Sequence, residues 1–156
     1  MVSSLSYKFE EFQPPVGLVQ RPLLPVRIQY RNKPPVDTKM LVDSGADVSV
    51  ILREFAEDAL EIDVERLPRS RTSGVGGETE VGLAETYIRL GYGKIFHELK
   101  IPVQIPLSYE SIKYDLLGRH PFFYEFDVSF RMGYSMDLGK FVLKKVEKRR
   151  PSNRYK

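Results

Sequence analysis

The chain has 156 residues, of which 42% are hydrophobic and 29% charged, so it is long enough for one domain with its own core. No apolar run approaches the roughly 20 residues of a membrane-spanning helix, and the first 13 residues lack the pattern of a secretory signal. The absence of cysteine excludes disulfides and thiolate chemistry, and it is compatible with the cytoplasmic location that we expect.

The positive charge is concentrated near the C-terminus. The chain carries a net charge of +3, and residues 144–156 contain seven Lys or Arg and one Glu, a net charge of +6. Residues 1–143 therefore carry 3 − 6 = −3. A solvated tail is the simpler interpretation, and contact with nucleic acid or a membrane surface is the alternative. We expect no membrane partner, and any nucleic-acid binding would depend on the tail alone.

The first elements are predicted to be strands. Residues 6–12 alternate weakly, as an edge strand would, and the pattern ends before a Pro-Pro pair. Residues 23–30 and 36–43 predict the two strands of a hairpin, with the turn at residues 32–35. Asp43 would then lie at the end of a strand, a position typical of catalytic groups that a rigid scaffold holds.

The stretch around Asp43 is the most informative part of the sequence. One apolar run leads to this carboxylate and a second apolar run leads away from it. A carboxylate at the end of a buried strand is costly unless it is hydrogen-bonded and has a task. The small residues Ser44, Gly45 and Ala46 allow a sharp turn and the close approach of another chain.

Two further patterns follow. Apolar residues recur in residues 52–60 at i, i+3, i+4, i+7 and i+8, which predicts a short helix that packs through one face. Residues 69–81 are rich in glycine and predict a hairpin tip, since they match neither G-x-x-x-x-G-K-[ST] nor G-x-G-x-x-G. By itself this tip is an ordinary hairpin. Its residues are Gly74, Val75, Gly76 and Gly77.

The rest of the chain is predicted from the same signals. A short apolar run at residues 114–119 ends in Gly-Arg. The remaining predicted elements are strands at 83–90 and 95–105, a helical turn at 121–125 and a hairpin of strands at 126–132 and 141–146. We divide the chain into an N-terminal extension (1–20), one domain (21–146) and a basic tail (147–156).

Taken together, Leu-Val-Asp-Ser-Gly-Ala-Asp, the Gly-rich hairpin and Leu-Leu-Gly-Arg resemble the retropepsin-like aspartic peptidases, and a cellular relative more than a viral one. The resemblance covers about residues 23–146. It implies an all-β fold: a closed, barrel-like half-lobe with one or two short helices that forms a homodimer. It implies an endopeptidase that uses water as the nucleophile and needs no cofactor.

The chemistry of such an enzyme needs two carboxylates that share one proton, because two like charges about 3 Å apart do not both ionise. This chain offers one suitable motif, since Asp37, Asp127 and Asp137 lack the turn of small residues. One aspartate per chain predicts a symmetric homodimer in which Asp43 of each copy meets at the two-fold axis. The chain's partners would be a second copy of itself and a polypeptide substrate.

The resemblance also implies roles for the neighbouring residues. Ser44 would hold the two active-site loops together across the axis, and Gly45 would leave room for the substrate backbone. The Gly-rich hairpin would be a flap that closes over the peptide. Asp47 and Arg119 match an ion pair that braces the loop, and losing one partner would cost roughly 3–5 kcal/mol if the pair is buried.

A set of mostly apolar residues matches the positions that line side-chain pockets in relatives. They are Leu41, Ala46, Val50, Val75, Tyr114 and Leu116. We therefore expect cleavage between large apolar residues of an extended peptide, held by strand-like backbone bonds. An ordinary core role is the alternative for Leu41, Val50 and Leu116.

Other chemistries lack support in the sequence. His97 and His120 are the only histidines, and without cysteine or H-E-x-x-H they predict no metal site. No G-x-S-x-G surrounds Ser44, so it is not predicted to be a nucleophile. The competing functions are a dimeric peptide-binding module that does not cleave, and a nucleic-acid adaptor that acts through the tail.

Overall fold

The structure, a computed structural model, describes residues 3–12, 19–74, 77–109, 113–133 and 139–147. The strands are β1 (Ser4–Lys8), β2 (Glu10–Phe12), β3 (Val19–Arg21), β4 (Leu23–Gln29), β5 (Val36–Val42), β6 (Ser49–Val50), β7 (Arg69–Gly74), β8 (Gly77–Tyr92), β9 (Ile95–Pro106), β10 (Asp115–Leu117), β11 (Phe126–Arg131) and β12 (Lys140–Lys145). The helices are α1 (Arg53–Asp58), α2 (Phe122–Glu125) and a 3-10 turn at Val64–Arg66.

Six strands close into a barrel. The large sheet has the order β4-β5-β10-β6-β9-β8-β7, and an additional pairing of β4 with β8 joins its two sides, which leaves β7 outside the closed part. Along β4, Leu24, Val26 and Ile28 are buried while the residues between Leu24 and Ile28 that alternate with them are exposed, as expected for strands that face a core on one side. The prediction of a closed, all-β, barrel-like fold with short helices is confirmed.

The predicted edge strand at 6–12 is in fact two strands. The chain breaks the ladder at Phe9, which is 3% exposed and donates its backbone N–H to the Gly139 carbonyl oxygen at 2.9 Å. On one side of this break β1 pairs with β12, and on the other β2 pairs with β3. The sequence pattern missed the break because Phe9 continues the alternation although its side chain turns into an aromatic cluster.

The second, smaller sheet has the order β1-β12-β11. Phe130 of β11 and Phe141 of β12 pack with Phe9, which follows β1, and the three rings lie 5.8–6.5 Å apart between centroids. The predicted C-terminal hairpin is therefore confirmed, with the N-terminal strand of the same chain added beside it.

The predicted helices are confirmed in shortened form. α1 buries Ala56, and Leu60 is fully buried just beyond its end. Arg53 donates to Glu57 within α1, and it also donates to Glu65 and to the carbonyl oxygen of Leu107, which joins α1 to two neighbouring segments. Among the described residues, no helix is long and apolar enough to cross a membrane. Of the basic tail (147–156), residues 148–156 lie outside the described residues.

Candidate active site

The site is formed where two parallel strands end side by side. β5 pairs in parallel with β10, so Leu41 lies beside Leu116 and Val42 beside Leu117. The Asp43 backbone N–H continues this ladder by donating to the Leu117 carbonyl oxygen at 3.0 Å. Asp43 therefore lies at the end of a strand, as the sequence predicts.

The carboxylate of Asp43 is held by its own turn. The Gly45 backbone N–H donates to Asp43 Oδ1 at 2.8 Å, and the Ala46 N–H donates to the Asp43 carbonyl oxygen at 3.3 Å. A Cβ on Gly45 would lie 3.1 Å from Asp43 Oδ1, which is tighter than an ordinary contact. The side chain of Asp43 stays partly exposed, whereas its neighbour Val42 is buried. A fixed, partly hydrated carboxylate at a strand end is suited to bind and activate water.

The loop that follows Asp43 lies against the Gly-Arg segment. The Arg119 backbone N–H donates to the Ala46 carbonyl oxygen at 2.8 Å, and the His120 N–H donates to the Asp47 carbonyl oxygen at 3.0 Å. Val48 and His120 add a parallel bridge. The two sequence motifs are thus joined by backbone hydrogen bonds, which fixes the loop independently of its side chains.

Ser49 is a buried residue that helps to hold the site together, and the sequence motifs did not identify it. Its side chain is fully buried, and its Oγ accepts the Gly118 backbone N–H at 3.0 Å. Gly118 itself packs against Val48, where a Cβ would lie 2.5 Å from the carbonyl carbon. A hydroxyl within the apolar run Val-Ser-Val was the signal that could have identified Ser49.

Asp47 and Arg119 form the expected ion pair, between Asp47 Oδ1 and the Arg119 guanidinium. In the single chain their side chains are 80% and 52% exposed. The condition of burial, under which the loss of one partner would cost roughly 3–5 kcal/mol, is therefore not met in one copy, and the pair contributes about 0–1 kcal/mol to the stability of one copy.

Three of the expected pocket residues form a row across three strands. Leu116 lies opposite Leu41 on one side and Val50 on the other. All three are partly exposed, while Met40, Leu117 and other residues that point to the opposite face are buried. The row is therefore an apolar surface beside Asp43 and not part of the closed core of one chain.

The other expected contact residues are placed in part. Ala46 and Tyr114 are partly exposed, and the Arg21 guanidinium lies 5.0 Å from the centroid of the Tyr114 ring. In the Gly-rich hairpin Gly74 pairs with Gly77, which has a φ of +105°. Val75 and Gly76, at the tip, lie outside the described residues. Ser44 is exposed in the Asp43 turn.

Asp115 is a second carboxyl group that the sequence reasoning did not use. It is 6% exposed at the start of β10, and it accepts the Leu52 backbone N–H at 2.8 Å. Burial raises its pKa to about 6, although the hydrogen bond from Leu52 acts in the opposite direction. Asp115 thus links β10 to the start of α1, and an aspartate next to an apolar run was the signal for it.

The side chains of both histidines contact aromatic rings. His97 stands edge-on to Phe126, and burial together with the charge of Lys145 lowers its pKa. His120 stands edge-on to Tyr124. Within the described ranges, no three acidic or histidine side chains are grouped to hold a metal ion.

Comparison with known proteins agrees with this architecture. The structure is similar to a retropepsin-like aspartic protease from Rickettsia conorii, with a TM-score of 0.54 and 20% sequence identity over 94% of this chain and 97% of that one. An EIAV protease in complex with an inhibitor also matches, with a TM-score of 0.45 and 24% identity over 64% of this chain and 82% of the other. No family model and no curated protein matches the sequence. The match to the Rickettsia protein confirms the retropepsin-like fold that the motifs predict.

Proposed function

We propose that this protein is an aspartic endopeptidase that acts as a homodimer, with Asp43 of each copy forming the catalytic pair. The observation that carries the proposal is the position of Asp43. It is a partly exposed carboxylate at the end of β5, held by the Gly45 N–H and by the ladder to Leu117. The retropepsin-like fold, shared with a protein described as a protease, supports it.

In the proposed reaction, one ionised Asp43 takes a proton from water as the water oxygen attacks the scissile carbonyl carbon. The protonated Asp43 of the other copy donates its proton to the carbonyl oxygen. The tetrahedral diol then collapses: the aspartate that gained a proton gives it to the amine nitrogen as the C–N bond breaks, and the ionised aspartate takes a proton from a diol hydroxyl as the carboxylic acid forms. The pair returns to its singly protonated state, so it titrates as one unit.

The surroundings favour an extended peptide with apolar side chains. The row of Leu41, Leu116 and Val50 offers partly exposed apolar surface beside the carboxylate. Burying one large apolar side chain on such a surface is worth roughly 1.5–3 kcal/mol. The β7–β8 hairpin, which we propose to be the flap, would cover the bound peptide and exclude water.

The test is cleavage of an unstructured protein at mildly acidic pH by wild type and by Asp43→Asn. We expect cleavage by wild type, inhibition by pepstatin-type compounds and loss of at least about a thousandfold in rate for Asp43→Asn. Asp37→Asn is the matched control, because Asp37 is an exposed aspartate near the other end of β5, where it pairs with Arg27 of β4. Equal cleavage by Asp43→Asn and wild type would overturn the proposal. Tight binding of peptides without cleavage would favour a binding module instead.

A further inference from the structure

Asp115 lies behind the apolar row of the candidate site. In β10 it directly precedes Leu116, the middle residue of the row, and neighbouring side chains of a strand point to opposite faces. Leu116 is partly exposed on the side of the row, whereas Asp115 is 6% exposed on the other side of the strand. The proposed reaction makes no use of this buried carboxyl group.

The side chain of Asp115 takes the place of a backbone acceptor between β10 and β6. These two strands are joined by a single residue pair, Leu116 with Val50. The Ile51 N–H points to β9, where it donates to a carbonyl oxygen at 3.0 Å, so the Leu52 N–H points to the side of β10. There it donates to Asp115 Oδ1 at 2.8 Å. This hydrogen bond extends a contact that the backbone alone limits to one residue pair.

The hydrogen bond consequently holds two members of the row together. Val50 lies on the segment that continues to Leu52, and Leu116 lies on the strand that carries Asp115. Leu41 is held independently, because β5 and β10 pair along three residues. Separating Asp115 from Leu52 would therefore loosen the contact of Val50 with Leu116 and leave the rest of the row in place.

A surface cleft of about 590 Å³, which Asp115 also lines, gives its carboxyl group a second position. The other titratable side chains that line this cleft are Lys39 in β5, Glu54 and Asp58 in α1, and Lys113 and Tyr114 before β10. The two lysines attract a carboxylate and the two acidic side chains repel it. The cleft therefore favours a charged Asp115 mainly because it opens to water.

Ionisation favours the position in the cleft. Burial raises the pKa of Asp115 to about 6, against about 4 for a hydrated aspartate, even though the hydrogen bond from Leu52 favours the charged form. A charged Asp115 is thus less stable in its buried position than in the water of the cleft. Between pH 5 and pH 7.5, these two pKa values shift the balance about tenfold toward the position in the cleft.

We propose that Asp115 is a positioning residue for the substrate: in its buried, protonated form it accepts the Leu52 N–H and keeps Val50 beside Leu116, and on ionisation it withdraws into the cleft and weakens peptide binding. The inference deepens the proposed function, because it rests on the apolar row as the surface that binds the peptide. Peptide binding then depends on pH through a group that is separate from the catalytic pair.

The test measures peptide binding with the catalytic pair removed. Full-length Asp43→Asn, which lacks the titrating carboxyl pair, is compared with Asp43→Asn/Asp115→Asn at pH 5 and pH 7.5. The ligand is a capped peptide of about ten residues with Leu-Phe at its centre and no ionisable side chain, and calorimetry gives its dissociation constant. The asparagine side chain keeps an oxygen that accepts the Leu52 N–H, but it does not ionise.

We expect the dissociation constant of Asp43→Asn to be about threefold to tenfold higher at pH 7.5 than at pH 5. In Asp43→Asn/Asp115→Asn it should change by less than about twofold and stay near the value that Asp43→Asn has at pH 5. Asp43→Asn/Asp58→Asn is the matched control, since Asp58 is exposed in the same cleft, and it should keep the pH dependence of Asp43→Asn.

A merely structural role of Asp115 would change peptide binding by the same factor at both pH values. That result would overturn the proposal. So would equal dissociation constants of Asp43→Asn at the two pH values, or a pH dependence that survives in Asp43→Asn/Asp115→Asn.

Cleavage by wild type separates this inference from the proposed function. If wild type cleaves but peptide binding by Asp43→Asn does not depend on pH, the peptidase stands and the role of Asp115 is contradicted. If binding follows pH only when Asp115 is present and wild type cleaves nothing, the positioning role is confirmed and the chain is a binding module. If Asp43→Asn binds no peptide at either pH, the inference is overturned, and cleavage by wild type still decides the proposed function.

Discussion

The backbone N–H of Gly118 donates to the buried hydroxyl of Ser49 at 3.0 Å, and a Cβ on Gly118 would lie 2.5 Å from the carbonyl carbon of Val48. Through this contact the Gly-Arg segment packs directly against the loop that follows Asp43. The two motifs of the candidate site are therefore held together at one crowded point.

Gly118→Ala should weaken both the fold and the site. The added methyl group must push two backbone segments apart, so we expect the free energy of unfolding to fall by about 1–3 kcal/mol or more. Gly74→Ala is the control for stability, because a Cβ there would meet no atom within 4 Å. Chemical denaturation of both variants checks the prediction, and equal stability of the two would contradict it.

The ion pair of Asp47 and Arg119 should matter little for one copy. Both side chains are more than half exposed, so Arg119→Ala should change the free energy of unfolding by about 1 kcal/mol or less at concentrations where the chain is monomeric. Arg53→Ala offers the contrast, since Arg53 is 14% exposed and donates to three groups. We expect that substitution to cost roughly 1–3 kcal/mol. A larger loss of unfolding free energy in Arg119→Ala than in Arg53→Ala would contradict this prediction.

The buried carboxyl of Asp115 should make stability depend on pH. Its folded-state pKa of about 6 lies above the value of about 4 expected in the unfolded chain, so the folded state binds the proton more tightly. The contribution of Asp115 is most favourable below pH 4 and becomes less favourable as the pH rises to about 6. Above that pH the cost of ionising the buried group is fully present.

Asp115→Asn removes this cost and keeps an oxygen that can accept the Leu52 N–H. Relative to wild type, the variant should be equally stable near pH 4 and more stable by roughly 2 kcal/mol at pH 7.5. Denaturation at both pH values measures the difference, with Asp58→Asn on the exposed face of α1 as the control. If the difference in unfolding free energy between Asp115→Asn and wild type is the same at both pH values, the raised pKa of Asp115 is contradicted.

The sequence predicted the strands well because they alternate, and the resemblance to retropepsin-like peptidases implied that they close into a barrel. β4 is buried at Leu24, Val26 and Ile28, and the same periodicity of two marks β9 at Leu99, Ile101 and Val103. The position of Asp43 was also predictable, because a turn of small residues after an apolar run has few other structural explanations. Such local patterns act over a few residues, which is the range that a sequence displays directly.

Long-range packing was harder to predict. The pairing of β1 with β12 joins residues more than 130 positions apart, and nothing local to Ser4–Lys8 specifies it. Asp115 and Ser49 are short polar residues beside or within apolar runs, and their hydrogen bonds to Leu52 and Gly118 depend on the closed barrel. The burial of Asp47 and Arg119 depends on the surface that surrounds them in the fold, so it cannot be predicted from their positions in the sequence.

The central claim is that each active site takes one Asp43 from each of two copies. A fixed amount of wild type is equilibrated with increasing amounts of Asp43→Asn, and cleavage is measured. Because mixed dimers would hold one carboxylate, random pairing predicts that an equal amount of the variant leaves about half of the activity and a ninefold excess leaves about a tenth. Activity that stays constant as the variant is added would contradict a site shared between two copies.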